Sequence, residues 1–105
     1  MIVILEPCRR ELQRFPATVR ADLADALARL DEGHMLSMPL SRPMPGIRSG
    51  VHELRLRDRS GVYRTVYALA RGRMVYVVHA FKKTTQATAK RDIELVRQRL
   101  KEVVQ

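Results

Sequence analysis

The sequence predicts one α+β domain: a short N-terminal strand, a two-helix hairpin, a three-stranded antiparallel meander and a C-terminal helix, with the helices covering one face of the sheet. Three observations lead there. A chain of 105 residues is enough for one core and too short for two domains of ordinary size, so residues 1–105 are read as a single domain. Apolar residues recur at helical spacing in two places, Val19, Leu23, Leu27 and Leu30, then Ile93, Val96, Leu100 and Val103. Between them, residues 51–83 alternate with period two and are interrupted by two turn sequences.

Ile2 to Leu5 is a short β-branched run stopped by Pro7, which suits a first strand. Cys8 to Phe15 is charged with Leu12 and Phe15 three apart, a short helix ended before Pro16. An amphipathic helix over 17–32 follows, with Arg20, Asp22, Asp25 and Arg29 off its apolar stripe and Gly33 closing it. Residues 33–50 hold three Pro, three Gly and three of the five Met with no sustained period, and are expected to be a loop.

In VHELRLR, Leu54 and Leu56 share one face and Glu53, Arg55 and Arg57 the other. After the turn DRSG, Tyr63, Thr65, Tyr67 and Leu69 alternate with Val62, Arg64, Val66 and Ala68. After a second turn at Gly72, Val75, Val77, His79, Phe81 and Lys83 share one parity. The last helix is expected at about 89–103, capped by Thr88, with Lys90, Arg91, Arg97, Arg99 and Lys101 on its exterior.

The formal net charge is +9, and its placement is uneven. Residues 1–46 carry six Arg and six acidic residues; residues 47–105 carry fourteen Lys and Arg against five Asp and Glu. A basic excess confined to one part of a small domain favours a polyanionic partner such as nucleic acid over a merely solubilising surface. With 46% hydrophobic residues the chain has globular composition. The single Cys8 cannot form an internal disulfide and is read as an ordinary half-buried residue. The opening MIVILEP is too short for a signal peptide or membrane span, so the protein is expected in the cytoplasm.

Common catalytic signatures are missing. His34, His52 and His79 are scattered and Cys8 stands apart from them, so no zinc-ligand spacing exists. No glycine-rich phosphate loop appears, and no metal or cofactor is expected. His34 and His52 read as surface or loop residues, His52 sharing parity with Leu54, and Tyr63 and Tyr67 read as core. What remains is a set of cations on the predicted sheet: Arg55 and Arg57 on one strand, Arg64 on the next, His79 and Lys83 on the third. In antiparallel neighbours these faces can coincide. Like charges gathered on one face repel, and a bound anion is an economical explanation. The side chain of Arg64 is accordingly expected at the surface.

The run LRLRDRSGVYRTVY at 54–67, with HAFKKTTQAT at 79–88 and a final charged helix, resembles the RelE/HigB toxin superfamily, nearest its phage-derived HigB-like branch. The resemblance covers nearly the full chain. It implies a RelE-like fold and a ribosome-dependent messenger-RNA endonuclease that uses the RNA 2′-hydroxyl as nucleophile. It also implies messenger RNA and the ribosome as partners, and a cognate antitoxin, often a helix-turn-helix protein. By position, Arg55 and Arg57 match basic residues near the scissile phosphate, Arg64 the arginine that holds it, and Lys83 a second phosphate contact. His79 is the candidate proton-transfer group. Arg59, Lys82, Gln86 and Lys90 are the candidates for further RNA contact, Gln86 through a base edge or as a helix cap. The RelE branch carries a catalytic tyrosine near the start of the last helix. Ala89 stands there in this chain, so either another group does that work or the activity is weak. Two other readings stand beside this one: a toxin of the same fold that inhibits DNA gyrase without cutting RNA, and a non-catalytic nucleic-acid-binding module.

Overall fold

Five strands form one mixed sheet, described here over residues 1–103 in a computed structural model. The chain runs β1 (Ile2–Ile4), α1 (Glu6–Gln13), α2 (Ala17–Asp31), β2 (Ser41–Pro43), β3 (Val51–Asp58), β4 (Gly61–Ala70), β5 (Met74–Lys83) and α3 (Lys90–Leu100). The sheet order is β1-β5-β4-β3-β2. β3, β4 and β5 form the expected antiparallel meander, and β1 pairs parallel to β5.

The helix boundaries differ in small ways from those expected. Pro7 does not merely stop the first strand; it sits in the first turn of α1, where a missing N–H costs nothing, so the helix begins at Glu6. α1 ends at Gln13, and Phe15 is instead buried between the helices, its ring 4.9 Å from that of Tyr63. Thr88 is not the cap of α3: Ala89 occupies that position without a side-chain hydrogen bond, and the Thr88 hydroxyl donates to Glu53 Oε2 at 2.8 Å.

Residues 33–50 are not loop throughout. β2 pairs antiparallel with β3, with Ser41 opposite Leu54, Arg42 opposite Glu53 and Pro43 opposite His52. Three residues are too few to display a period, and Pro43 is tolerated because β2 is an edge strand. Ser41 is buried and its Oγ lies 2.7 Å from Tyr67 Oη, which fixes the strand to the core.

The sheet is covered on both faces, not one. On one side Val19, Leu23, Ala26 and Leu30 of α2 pack with Leu54, Leu56, Tyr63, Tyr67, Val75 and Val77. On the other, Val96, Leu100 and Val103 pack with Val51, Val66, Ala68 and Val78. The physical reason lies in β3 and β4, which carry apolar residues at both parities, so neither face can be left to water. Cys8 is wholly buried, not half-buried, and burial in the first core pushes its thiol up to about 12.

The shared parity expected along β5 does not hold. Val66 pairs with His79 but Tyr67 pairs with Val77, so Val78 is an extra residue in β5. Val75 and Val77 face α2, whereas His79, Phe81 and Lys83 face the side of α3. At the β3–β4 turn Asp58 Oδ1 accepts from Ser60 N at 2.8 Å and Ser60 Oγ at 2.7 Å, and Gly61 takes φ +150°. Among the described residues no helix is long and apolar enough to cross a membrane.

If α3 completes a second core, Leu100→Ala should destabilise the domain by about 2–5 kcal/mol, the range for a buried Leu cut to Ala. Urea unfolding monitored by far-ultraviolet circular dichroism measures this. A loss within error of zero would mean that α3 rests on the sheet without stabilising it.

Candidate functional site

The antiparallel register brings the predicted cations together. Arg55 pairs with Arg64 and Arg57 with Val62 across β3 and β4, and Val62 pairs with Lys83 across β4 and β5. Side chains of cross-strand partners share a face, so Arg55, Arg57, Arg64 and Lys83 belong to one surface. It is the part of the α3 side that α3 leaves uncovered. Arg42 of β2, opposite Glu53, carries the same face to the sheet edge. A cleft of about 540 Å³ opens there, lined by Pro39, Leu40, Arg55, Leu56, Arg57, Val62 and Arg64.

Arg64 is not at the surface as expected, being only 6% exposed. Its Nη1 donates to the Tyr63 carbonyl at 3.2 Å, and its Nε lies 3.5 Å from Glu53 Oε1 without making a hydrogen bond. Burial lowers its pKa, and the charges of Arg55 and Arg42 add to this against the opposing effect of Glu53. Lys83 is lowered too, first by burial and then by Arg64, with Arg55 and Arg42 contributing and Glu53 opposing. The neutral amine is therefore more accessible in Lys83 than in a free lysine.

Glu53 is the residue that alternation alone did not single out. It is 1% exposed, lies on the same face as the cations, and is tied to Thr88 of the β5–α3 connection. A lone carboxylate at the parity of Arg55 and Arg57 was the available signal. Nothing in the period separates a solvated Glu from a buried one.

His79 is not on the open surface. It is 3% exposed and stacks on Phe81, with ring centroids 5.1 Å apart. Its Nδ1 lies 3.0 Å from Glu11 Oε1 and its Nε2 lies 2.8 Å from Asp92 Oδ1. Arg99 closes the group: Nη1 and Nη2 donate to the two oxygens of Glu11 at 2.8 and 3.0 Å, and Nη1 donates to the Val78 carbonyl at 2.9 Å. The network joins α1, β5 and α3. Its members are far apart in sequence, which is why spacing could not reveal it.

The remaining candidates are dispersed. Lys82 points to the opposite face from Lys83, its Nζ 6.0 Å from the centre of the Tyr63 ring. Arg59 is exposed in the β3–β4 turn, Gln86 is exposed in the β5–α3 connection, and Lys90 is exposed at the start of α3. His34 is exposed beside Glu32, and His52 is half-buried and stacked on Tyr67. Tyr63 and Tyr67 are core residues, as expected. Among the described residues no group of three or more His, Cys, Asp and Glu could hold a metal ion.

The buried network gives the protein an acid-sensitive joint. Burial opposes ionisation of Glu11, but hydrogen bonds from His79, Arg99 and the Ala80 N–H outweigh it and bring its carboxyl from 4.5 to about 2. A carboxylate with a depressed folded-state pKa contributes stability that is full above its unfolded value and is lost as pH falls through the folded one. Wild type should therefore lose stability between about pH 4.5 and 2, and Glu11→Gln should flatten that part of the curve. Denaturant midpoints across this pH range test it, and parallel curves for the two proteins would refute the assignment.

Comparison with known proteins agrees with this architecture. The family of phage-derived Gp49-like proteins (DUF891) matches residues 10–101. A solved structure of an arginine double mutant of the E. coli toxin RelE, in the free state, shares 19% identity with a TM-score of 0.67, over 99% of this chain and 97% of that one. The isolated E. coli RelE toxin shares 22% identity with a TM-score of 0.58, over 93% of this chain and 96% of that one. At these identities the likeness is one of fold. No curated protein sequence matches the chain. With nine-tenths of its length matched, the chain belongs to the phage-derived Gp49-like family, and it has the RelE fold.

Proposed function

We propose that this protein is the toxin of a toxin–antitoxin pair, acting in the cytoplasm as a metal-independent, ribosome-dependent messenger-RNA endonuclease. The observation that carries the reading is the gathering of Arg55, Arg57, Arg64 and Lys83 beside one cleft, with the pKa of both Arg64 and Lys83 lowered. Family membership and the RelE fold support it.

The chemistry follows from charge. The RNA 2′-oxygen attacks the adjacent phosphorus, its proton passes to a base, and the bond to the 5′-oxygen breaks to leave a cyclic phosphate. Lys83 is the group on this face best prepared to take the proton, because burial first, and then the neighbouring arginines, disfavour the ammonium form. Arg64 and Arg55 stabilise the negative charge that accumulates on the pentacoordinate phosphorane, and cations fixed in advance do this without reorganisation. A second group on the face, or water, protonates the leaving oxygen. His79 has no part in this scheme, since it is enclosed by Glu11, Asp92 and Arg99. Arg59, Gln86 and Lys90 remain free to touch the RNA strand, whereas Lys82 lies on the far side of the sheet.

Expression without a partner should arrest growth, and mapping of 5′ ends should reveal new cuts inside translated messages. Lys83→Met should lower the cleavage rate on the order of 100-fold or more, the usual contribution of a proton-transfer group. Intact messages with trapped gyrase–DNA complexes would favour inhibition of gyrase, and RNA bound but uncut would favour a binding module.

The cognate antitoxin, a helix-turn-helix protein in this reading, is expected to lay acidic residues over Arg55, Arg57 and Lys83. Its association rate should fall with added salt and fall again in an Arg55→Ala, Arg57→Ala double variant. A rate indifferent to both would move the antitoxin site to the helices or to the 33–50 segment.

A further inference from the structure

Glu53 is a buried anion in a place that the reaction itself does not call for. The proposed face must attract phosphate, yet one of its β3 positions is occupied by a carboxylate that is 1% exposed. A carboxylate in such surroundings is costly unless its oxygens are engaged. Oε2 accepts from Thr88 Oγ1 at 2.8 Å, and Oε1 faces Arg64 Nε at 3.5 Å as an ion pair without a hydrogen bond.

We propose that Glu53 is the positioning residue of the cationic face, holding Arg64 side-on and tying the β5–α3 connection to the sheet through Thr88. Its consequence for cleavage rests on the endonuclease reading above; its effect on Arg64 does not.

Two independent features support it. The first is the geometry of Arg64. Glu53 stands 3.5 Å from the Nε edge, the Tyr63 carbonyl takes Nη1, and the residue so placed lines the cleft. A guanidinium with one hydrogen bond and a carboxylate against another edge is restricted in orientation, and orientation is what a phosphate-holding arginine needs. The second is the start of α3. Thr88 stands next to the N-cap position and could have capped the helix, a common use of such a hydroxyl. The helix begins without a side-chain cap, and the hydroxyl goes to Glu53 instead. The segment so anchored, residues 84–89, carries Gln86.

Glu53 also sets the charge around Lys83. The charged groups that act on the lysine are Arg64, Glu53, Arg55 and Arg42, and Glu53 is the only anion of the four. Removing its charge disfavours the ammonium further, so a pH–rate profile governed by Lys83 should move to lower pH in Glu53→Gln. A purely structural carboxylate would leave the profile where it is.

The test uses the full chain as wild type, Glu53→Gln, Thr88→Val and the double variant. Three readouts are needed: single-turnover cleavage on programmed ribosomes, affinity for an uncleavable 2′-O-methyl RNA, and the Arg64 Nε–H resonance, assigned by its loss in Arg64→Lys. Glu53→Gln should slow cleavage by about 10- to 100-fold, as misplacement of a catalytic group does. Affinity should stay level or rise, because a negative charge has gone from the face. Thr88→Val should have a smaller effect that does not multiply with that of Glu53→Gln. The Nε–H order parameter should be high in the wild type and fall in Glu53→Gln, because the charge that restrains the guanidinium has gone. Wild-type cleavage by Glu53→Gln, joint loss of affinity and cleavage, or multiplying effects would overturn the positioning role. A wild type that binds the RNA and leaves messages whole overturns the endonuclease reading instead, and the Nε–H order parameter then decides on Glu53 alone: an unchanged value in Glu53→Gln refutes the proposal, and a lower one supports it.

Discussion

Val78 has no partner in β4, and that one unpaired position sorts the side chains of β5 between the two layers of the molecule. In a regular strand the parity of Val75 and Val77 would continue to His79, Phe81 and Lys83. All five would then compete for the face that α2 covers, and a lysine would be driven into an apolar core. The bulge turns the second half of the strand over. Val75 and Val77 remain in the first core, Val78 enters the second, and Lys83 comes to the side where Arg55, Arg57 and Arg64 already lie. The cationic face depends on this step, and so does the enclosure of His79.

Once the cations share a face, the protein must keep them from forcing the sheet apart. Exposure relieves part of the repulsion at Arg57 and Arg42, which can extend into water. Arg64 has no such freedom, and Glu53 answers its charge at short range. A similar arrangement occurs at the middle of β5, where Glu11 pairs with Arg99 and hydrogen-bonds to His79. In each case one carboxylate, Glu53 or the half-buried Glu11, contacts partners from different elements, so the two anions join layers as well as balancing charge. Buried ion pairs are weak evidence for stability by themselves, since desolvation offsets much of their attraction. Their effect here is to specify which elements meet and at what register.

The regular parts of the fold were legible in the sequence because period and turn chemistry are local. The stripe Val19, Leu23, Leu27, Leu30 and the alternation around Leu54, Leu56, Tyr63 and Tyr67 correspond to faces that the core covers. The convergence of Arg55, Arg57, Arg64 and Lys83 was readable from alternation plus antiparallel pairing. Features that depend on one residue or on tertiary contact were not. β2 is too short to carry a period, and the bulge at Val78 hides inside a run of valines. Thr88 has the chemistry of a cap, but Glu53 competes for its hydroxyl. Arg64 and His79 are polar residues whose burial is decided by partners on other elements, so their types suggested exposure or reactivity that the packing does not give them.

The bond between Glu11 and Arg99 joins residues 88 positions apart. On a ribosome, where the chain emerges from its N-terminus, the residues of α1, α2 and the meander have all been added before Arg99. Until then Glu11 and His79 lack their guanidinium, and Val51, Val66 and Val78 lack Val96 and Leu100. A chain that lacks its C-terminal helix therefore leaves Val51, Val66, Ala68 and Val78 uncovered. Its assembly is ordered in time: closure of the second layer waits on the C-terminal helix, and the growing chain cannot reach its finished form ahead of that segment's synthesis.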